Sequence, residues 1–334
     1  MDILNMLQTL NNCHGPAGDE KAVSDMICSI AAEYADEHWV DVMGNLVFHK
    51  RGDGPKLMFA AHMDSIGAVV THIEEDGLVR FGRLGGLDLH AMLHTNVRFS
   101  DGTLGAVCAN ESADMKKLSI EDMFIDIGAS SKEEAEQLIK IGDTAVFHAP
   151  VYAAGKRMIS PYMDNRISCV ILLLAMRQIK ENKNDLYFVF TTQEEVGLRG
   201  AKTAAYAIKP DYAVAIDVTV SDDLPGAKHY GSSVLGKGAA IKVMDNSVIC
   251  HPQMVQILTN LAKEHEITHQ MDVIRAGGTD AGAIHGSRAG VYTGGISVPC
   301  RYIHTPSEMV QTSDVEACVQ LTAALANAQL KAGE

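Results

Sequence analysis

Five carboxylates and two histidines stand where apolar runs of this sequence stop: His62 and Asp64 in "AHMDS", Glu194 and Glu195 in "TTQEE", Asp217 in "AIDVT", Asp164 in "SPYMDNR" and His304 in "RYIHTPSE". Taken singly, each has an ordinary explanation. Asp164 reads as a helix N-cap, Asp217 as the close of a strand, and Glu194 with Glu195 as a solvated corner. Of the 14 histidines most are unremarkable, and His38, His265 and His269 sit in polar helical texture. Gathered at one edge, the seven would concentrate negative charge that is repulsive unless cations neutralise it. Imidazole with carboxylate and no thiolate suits Zn, Co or Mn, whereas all-oxygen shells suit Mg or Ca. Two histidines far apart in sequence fit two divalent ions about 3.5–4 Å apart, one His each, bridged by a carboxylate. A bridging hydroxide would balance the charge, and metal-held water can reach a pKa of about 7. One further carboxylate must then carry the proton to the leaving group. Alternation along a strand would let Glu194 and Glu195 do different jobs. The H-x-D spacing puts His62 and Asp64 on one face, where Asp64 can accept the free imidazole N–H and fix its tautomer.

The elements around these residues predict where they meet. "GDEKAVSDMICSIAAEYA" places Val23, Met26, Ile27 and Ile30 on one helical face, and "KLMFAAHMDS" reads as a buried strand. From about Ile66 to Pro150 the texture becomes short alternating runs split by "EEDG", "GRLGG" and "FSDGT", the pattern of a small β-rich unit. One helix opens inside it, at Ser130 with Glu133 three residues on. After Ser160, helices such as "DNRISCVILLLAMRQI" and "HPQMVQILTNLAKEHEI" alternate with strands such as "DLYFVFTT", "DYAVAIDVTV" and "AGVYTGGISVP". The fold class is therefore α/β, a mostly parallel or mixed sheet flanked by helices, interrupted by the β-rich insertion. The expected units are a catalytic one from residues 1–66 and 151–334 and an insertion from 67–150. In open α/β sheets ligands bind beyond the carboxyl ends of the strands, where the seven residues fall.

Composition narrows the partners. The chain has 334 residues, 47% of them apolar and 21% charged, with a net charge of −14. That charge argues against nucleic acid or an anionic membrane, since both need a basic footprint. No apolar run approaches the ~18 residues that span a bilayer, and "MDILNMLQTLNN" does not read as a signal peptide. The seven cysteines are scattered, odd in number and never C-x-x-C, which points to reduced thiols in a cytoplasm.

These residues, in this order, resemble the dinuclear metallo-aminopeptidases that assemble into tetrahedral (TET) particles, including the glutamyl and deblocking aminopeptidases. "AAHMDSIG", "MDNR", "TTQEEVGLRGA", "AIDVT", "GGTDAGAIH" and "RYIHTPSE" carry the resemblance over nearly the whole chain, and "FIDIGASSKEEAE" extends it into the insertion. The resemblance implies two divalent ions per subunit, Zn, Co or Mn: His62 and Asp217 on one, Glu195 and His304 on the other, Asp164 bridging. It also implies Glu194 as general base and Asp64 as orienter of His62. It makes the insertion a PDZ-like domain used in oligomerisation, giving a homo-oligomer, either a dimer or a tetrahedral dodecamer. Some relatives carry a second Asp where this chain has Asn165, but the ligand is the first Asp. The glycines of "GGTDAG" read on their own as a tight turn; the resemblance makes the loop part of the substrate pocket, with Gly278, Thr279 and Asp280 as contacts.

The function expected is removal of N-terminal residues from short peptides, by attack of a metal-bridging hydroxide with Glu194 shuttling the proton. A deacylase on the same scaffold is an alternative. A glycoside hydrolase is another, but it needs only two carboxyls ~5–9 Å apart and leaves the histidines unused. A single Trp in the chain also leaves few stacking platforms for a sugar.

Overall fold

Alternate residues of the central strands divide between two cores. Leu57, Phe59 and Ala61 of the strand Lys56–His62 point to one, with Leu186, Phe188 and Phe190 of the strand Asp185–Thr191 and Tyr212, Val214 and Ile216 of the strand Tyr212–Val220. Met58, Ala60, Tyr187, Val189 and Ala213, between them, point to the other. A sheet covered on both faces needs this, and it explains why its strands read as continuous apolar runs. The first face is covered by helices Ile3–Asn11, Met163–Met176 and Thr312–Asn327, the second by Arg199–Ile208 and Asp280–His285. Phe59 and Phe188 stack with ring centroids 5.1 Å apart, both fully buried. Each such side chain contributes roughly 1.5–3 kcal/mol through burial.

The computed structural model describes residues 2–180, 182–229 and 231–331, so positions 1, 181, 230 and 332–334 of the expected catalytic unit lie outside the described residues. Among them the sheet has 11 strands and is mixed. Its centre is parallel, in the order Asp185–Thr191, Lys56–His62, Tyr212–Val220 and Tyr292–Arg301. Register pairs His62 with Thr191, and Ala60 with Ala215. The first strand therefore ends beside Asp217, which continues to pair with Ser297 on its other side.

Between the His62 strand and the edge strand Tyr152–Ala154 the chain closes a separate six-stranded barrel from Gly67–Ile73, Val79–Leu84, Met123–Asp126, Leu104–Ala109, Asn96–Phe99 and Thr144–Phe147. Its residues alternate buried and partly exposed, and Val70, Val79, Phe81, Val97, Phe99, Val107 and Ile125 form its own core. The unit holds a one-turn helix, Leu89–Met92, that the sequence reading missed, and the helix it expected, Lys132–Leu138, opens one residue later. Ser131, not Ser130, is the N-cap; its hydroxyl accepts from the Glu134 amide, while the Glu134 carboxylate takes the Ser130 N–H. "SSKEE" offers both registers, and the one observed buries Ala135 and Ile139. Among the described residues no helix is long and apolar enough to cross a membrane.

Candidate metal centre

The seven residues come from five segments and converge. His62 Nε2 lies 3.1 Å from Asp164 Oδ1 and 3.7 Å from Asp217 Oδ1. His304 Nε2 lies 3.4 Å from Asp164 Oδ2 and 3.2 Å from Glu195 Oε2. Asp164 thus turns one oxygen to each histidine. Within His62, Asp164 and Asp217, and again within Asp164, Glu195 and His304, the ligand atoms lie within 4.8 Å of one another. Glu194 belongs to neither set; its Oε2 is 3.9 Å from His62 Nε2. Asp164 does not serve as a helix cap: its two carboxylate oxygens face the two histidines.

Each imidazole is oriented from behind. His304 Nδ1 donates to the Gly86 carbonyl at 3.0 Å, leaving Nε2 to accept a metal. His62 Nδ1 lies 3.2 Å from the backbone carbonyl of Asp64 and 3.5 Å from its carboxylate. The nearer orienting group is therefore the carbonyl, not the carboxylate expected from the H-x-D spacing. The Asp64 carboxylate instead accepts the amide hydrogens of Glu194 at 3.0 Å and Glu195 at 3.2 Å. Those glutamates lie in a turn past the strand end at Thr191, entered through Gln193 at φ +54°. Pleat alternation does not separate them; the turn and the Asp64 clasp do.

Burial and charge set the protonation of the ion-free centre. Burial alone would lower His62 and His304. The Glu194 charge, with the carboxylates of Asp164, Asp217 and Asp64 around the ring, nevertheless holds His62 well above the ordinary range, and Asp164 with Glu195 lifts His304 to about 11. Burial, then the Asp164 charge, pushes Glu195 up to about 7. Burial, then Asp217, Asp280 and Glu195, holds Glu194 well above the usual carboxylate range against the pull of His62. Burial would also raise Asp164, yet hydrogen bonds from His304 and His62 keep it low. Protons thus occupy places that divalent cations can take. The donor set, imidazole plus carboxylate around a shared Asp164, fits such ions, and Glu195 Oε1 is buried without a hydrogen-bond partner.

Three supports escaped the sequence reading. Glu308, 1% exposed, accepts the Asp164 amide at 2.8 Å and the His304 amide at 2.7 Å, repeating the clasp of Asp64. An acid opening the apolar run "EMV" was its signal. Glu20 is also buried and accepts the amides of Gly18 and Gln193, the latter just before Glu194. Gly85 and Gly86, read only as a turn in "GRLGG", touch the centre from the inserted unit. A Cβ on Gly85 would lie 3.1 Å from Glu195 Cβ, and one on Gly86 2.7 Å from His304 Nδ1. A cavity of about 510 Å³ opens in front of the centre, with Gly278 and Thr279 in its wall. Asp280 lies behind that wall, 2% exposed and bonded to the Thr191 hydroxyl, with burial pushing its carboxyl up to about 7.

The chain is similar to proteins already known. A family model described as M42 glutamyl aminopeptidase matches residues 44–321. A putative aminopeptidase of Acetivibrio thermocellus is 43% identical over 96% of this chain and 97% of its own. An aminopeptidase from the archaeon Desulfurococcus kamchatkensis superposes with a TM-score of 0.93 at 38% identity, covering 97% of this chain and 94% of that one. The Pyrococcus horikoshii TET1 peptidase, which can assemble into a tetrahedron or a large octahedral shell, superposes with a TM-score of 0.89 at 33% identity, covering 97% and 99%.

Proposed function

Since the chain belongs to the M42 glutamyl aminopeptidase family, we propose that it removes N-terminal residues from short peptides with two divalent ions, Zn, Co or Mn, held between His62, Asp164, Asp217, Glu195 and His304. The observation that carries this reading is the division of Asp164, whose two oxygens face two separate His–carboxylate sets. When bound, the ions supply Lewis acidity toward the scissile carbonyl and lower the pKa of the attacking water. Glu194 takes a proton from that water and delivers it to the departing amine nitrogen. Its carboxylate stands beside the centre, 3.9 Å from His62 Nε2, without belonging to either ligand set, and so is left free for the proton. Asp64 and Glu308 do no chemistry on the substrate. They fix the backbone of Glu194, Glu195, Asp164 and His304, so the side chains are ordered before substrate arrives.

The family match does not favour the deacylase or the glycoside hydrolase. We assign the barrel to subunit contacts in a homo-oligomer, a dimer or a tetrahedral dodecamer, by analogy with the TET1 peptidase. The seven free cysteines support a reducing compartment such as the cytoplasm. The test is steady-state hydrolysis of aminoacyl anilides beside their N-acetylated forms, after metal stripping and after add-back of Zn, Co or Mn. Activity should vanish on stripping and return with metal, and the acetylated substrates should be refused. Chelator-insensitive activity would overturn the metal mechanism.

A further inference from the structure

The cavity in front of the metal centre extends past it into a wall built from Leu198, Val218, Val220, Ile274, Ala276 and Ile303. Among the described residues that line it, the only charged or ionisable side chains are the two histidines and four carboxylates of the centre itself. Among those residues no lysine or arginine faces it to receive an acidic group, and no further carboxylate to receive a basic one.

The two side-chain hydroxyls in this wall already face acceptors behind it. The Thr219 hydroxyl donates to Asp272 Oδ1 at 3.0 Å, and the Thr279 hydroxyl lies 3.4 Å from Asp245 Oδ2. Both acceptors are buried and belong to a cluster around Lys242, whose Nζ is 2.6 Å from Asp272 and 3.8 Å from Asp245. Lys242 is a cation close behind the wall, but it is 1% exposed and held by those carboxylates. Arg275 stands between Ile274 and Ala276 in sequence, yet its guanidinium donates to the His229 carbonyl and does not line the cavity. The cluster thus draws the hydroxyls and the cation away from the cavity and leaves it an apolar lining.

We infer that this wall is the specificity pocket and that it selects an uncharged apolar N-terminal side chain, of the leucine or methionine class, over acidic or basic ones. This rests on the aminopeptidase reading above and deepens it. A carboxylate or ammonium placed here loses its water and gains no partner, a cost that falls on the wrong substrates alone. An aliphatic chain instead finds an apolar lining to pack against.

The test uses the metal-loaded enzyme on leucyl, methionyl, lysyl and glutamyl 4-nitroanilides. kcat/KM for leucyl and methionyl substrates should exceed that for glutamyl and lysyl substrates by about tenfold or more. Val220, 45% exposed in the wall, accommodates a larger residue without repacking a core. V220R should raise the glutamyl-to-leucyl ratio about tenfold, and A276R, at an exposed position on the same wall, gives an independent second cation. A wild type that prefers the glutamyl or lysyl substrate overturns the specificity and leaves the aminopeptidase reading standing. Unchanged ratios in both folded variants likewise remove this wall from selectivity. Silence on every anilide overturns the aminopeptidase reading and this inference with it.

Discussion

The two halves of the centre share Asp164 and little else. The half around His62 hangs on the sheet: His62 and Asp217 come from neighbouring parallel strands, and the imidazole is 2% exposed. The half around His304 is built from chain that has left the sheet, with Glu195 in a turn and His304 in a loop, and that imidazole is 30% exposed. The inner ring is oriented by a carbonyl two residues along its own chain segment, the outer one by Gly86, 218 positions away in the inserted barrel. A ligand fixed by its own segment needs little further ordering when an ion arrives. One fixed from another unit depends on how firmly the two units are held. The contrast predicts a tight inner ion and an exchangeable outer one.

The strongest way to break that contrast is to remove what the halves share. Asp164→Ala should cost both, lowering kcat/KM by about 10³-fold or more and reducing bound metal measured by elemental analysis. Full metal content in that variant would show that Asp164 is not shared. Glu194→Gln, outside both halves, should lose about 10²–10⁴ in kcat while metal content stays that of wild type; normal turnover would remove Glu194 from proton transfer.

Gly86→Ala is the sharper probe, because it touches one half alone. The added methyl would stand 2.7 Å from His304 Nδ1 and 2.9 Å from its Cε1, so the ring must shift. Affinity for the outer ion should fall about 10–100-fold, while the inner ion titrates as before. Equal weakening of both ions would erase the distinction.

The smallest expected effect lies in stability without metal. Glu195 rises from 4.5 and Asp280 from 3.8, each to about 7, so the folded protein holds protons there that the unfolded chain has released. Their contribution is therefore present at low pH and is lost as pH climbs from about 4 to about 7. His304, raised from 6.5 to about 11, adds in the same direction: its stabilisation is complete below 6.5 and declines above it. The Tm of the metal-free protein should fall between about pH 5 and pH 8, and metal should flatten the decline. A Tm that rises over this range without metal would contradict the protonation pattern of the centre.

Much of this was legible in the sequence because the sheet writes its ends plainly. Apolar runs stop at "AHMDS" and "TTQEE", so residues near one sheet edge can be listed without coordinates. What stayed hidden depends on backbone rather than residue type. Pleat alternation was the wrong account of Glu194 and Glu195, because Gln193 turns the chain before either is reached. "SSKEE" offered two capping registers, and only the packing of Ala135 chose between them. Glu308 and Asp64 act on amide hydrogens of distant segments, a contact with no local pattern. The "GG" of "GRLGG" looked like any turn, since its purpose is the space that Glu195 and His304 occupy.

The Gly86 carbonyl that accepts the His304 Nδ1–H would also make ion binding and the seating of the barrel reciprocal events. Whatever lengthens that bond would weaken an ion held by His304, and by thermodynamic linkage such an ion would resist the same displacement with equal free energy. If neighbouring subunits clamp the barrel, the particle as a whole becomes an effector of its own metal content: dilution to single subunits loosens the ion, and starvation for metal loosens the shell.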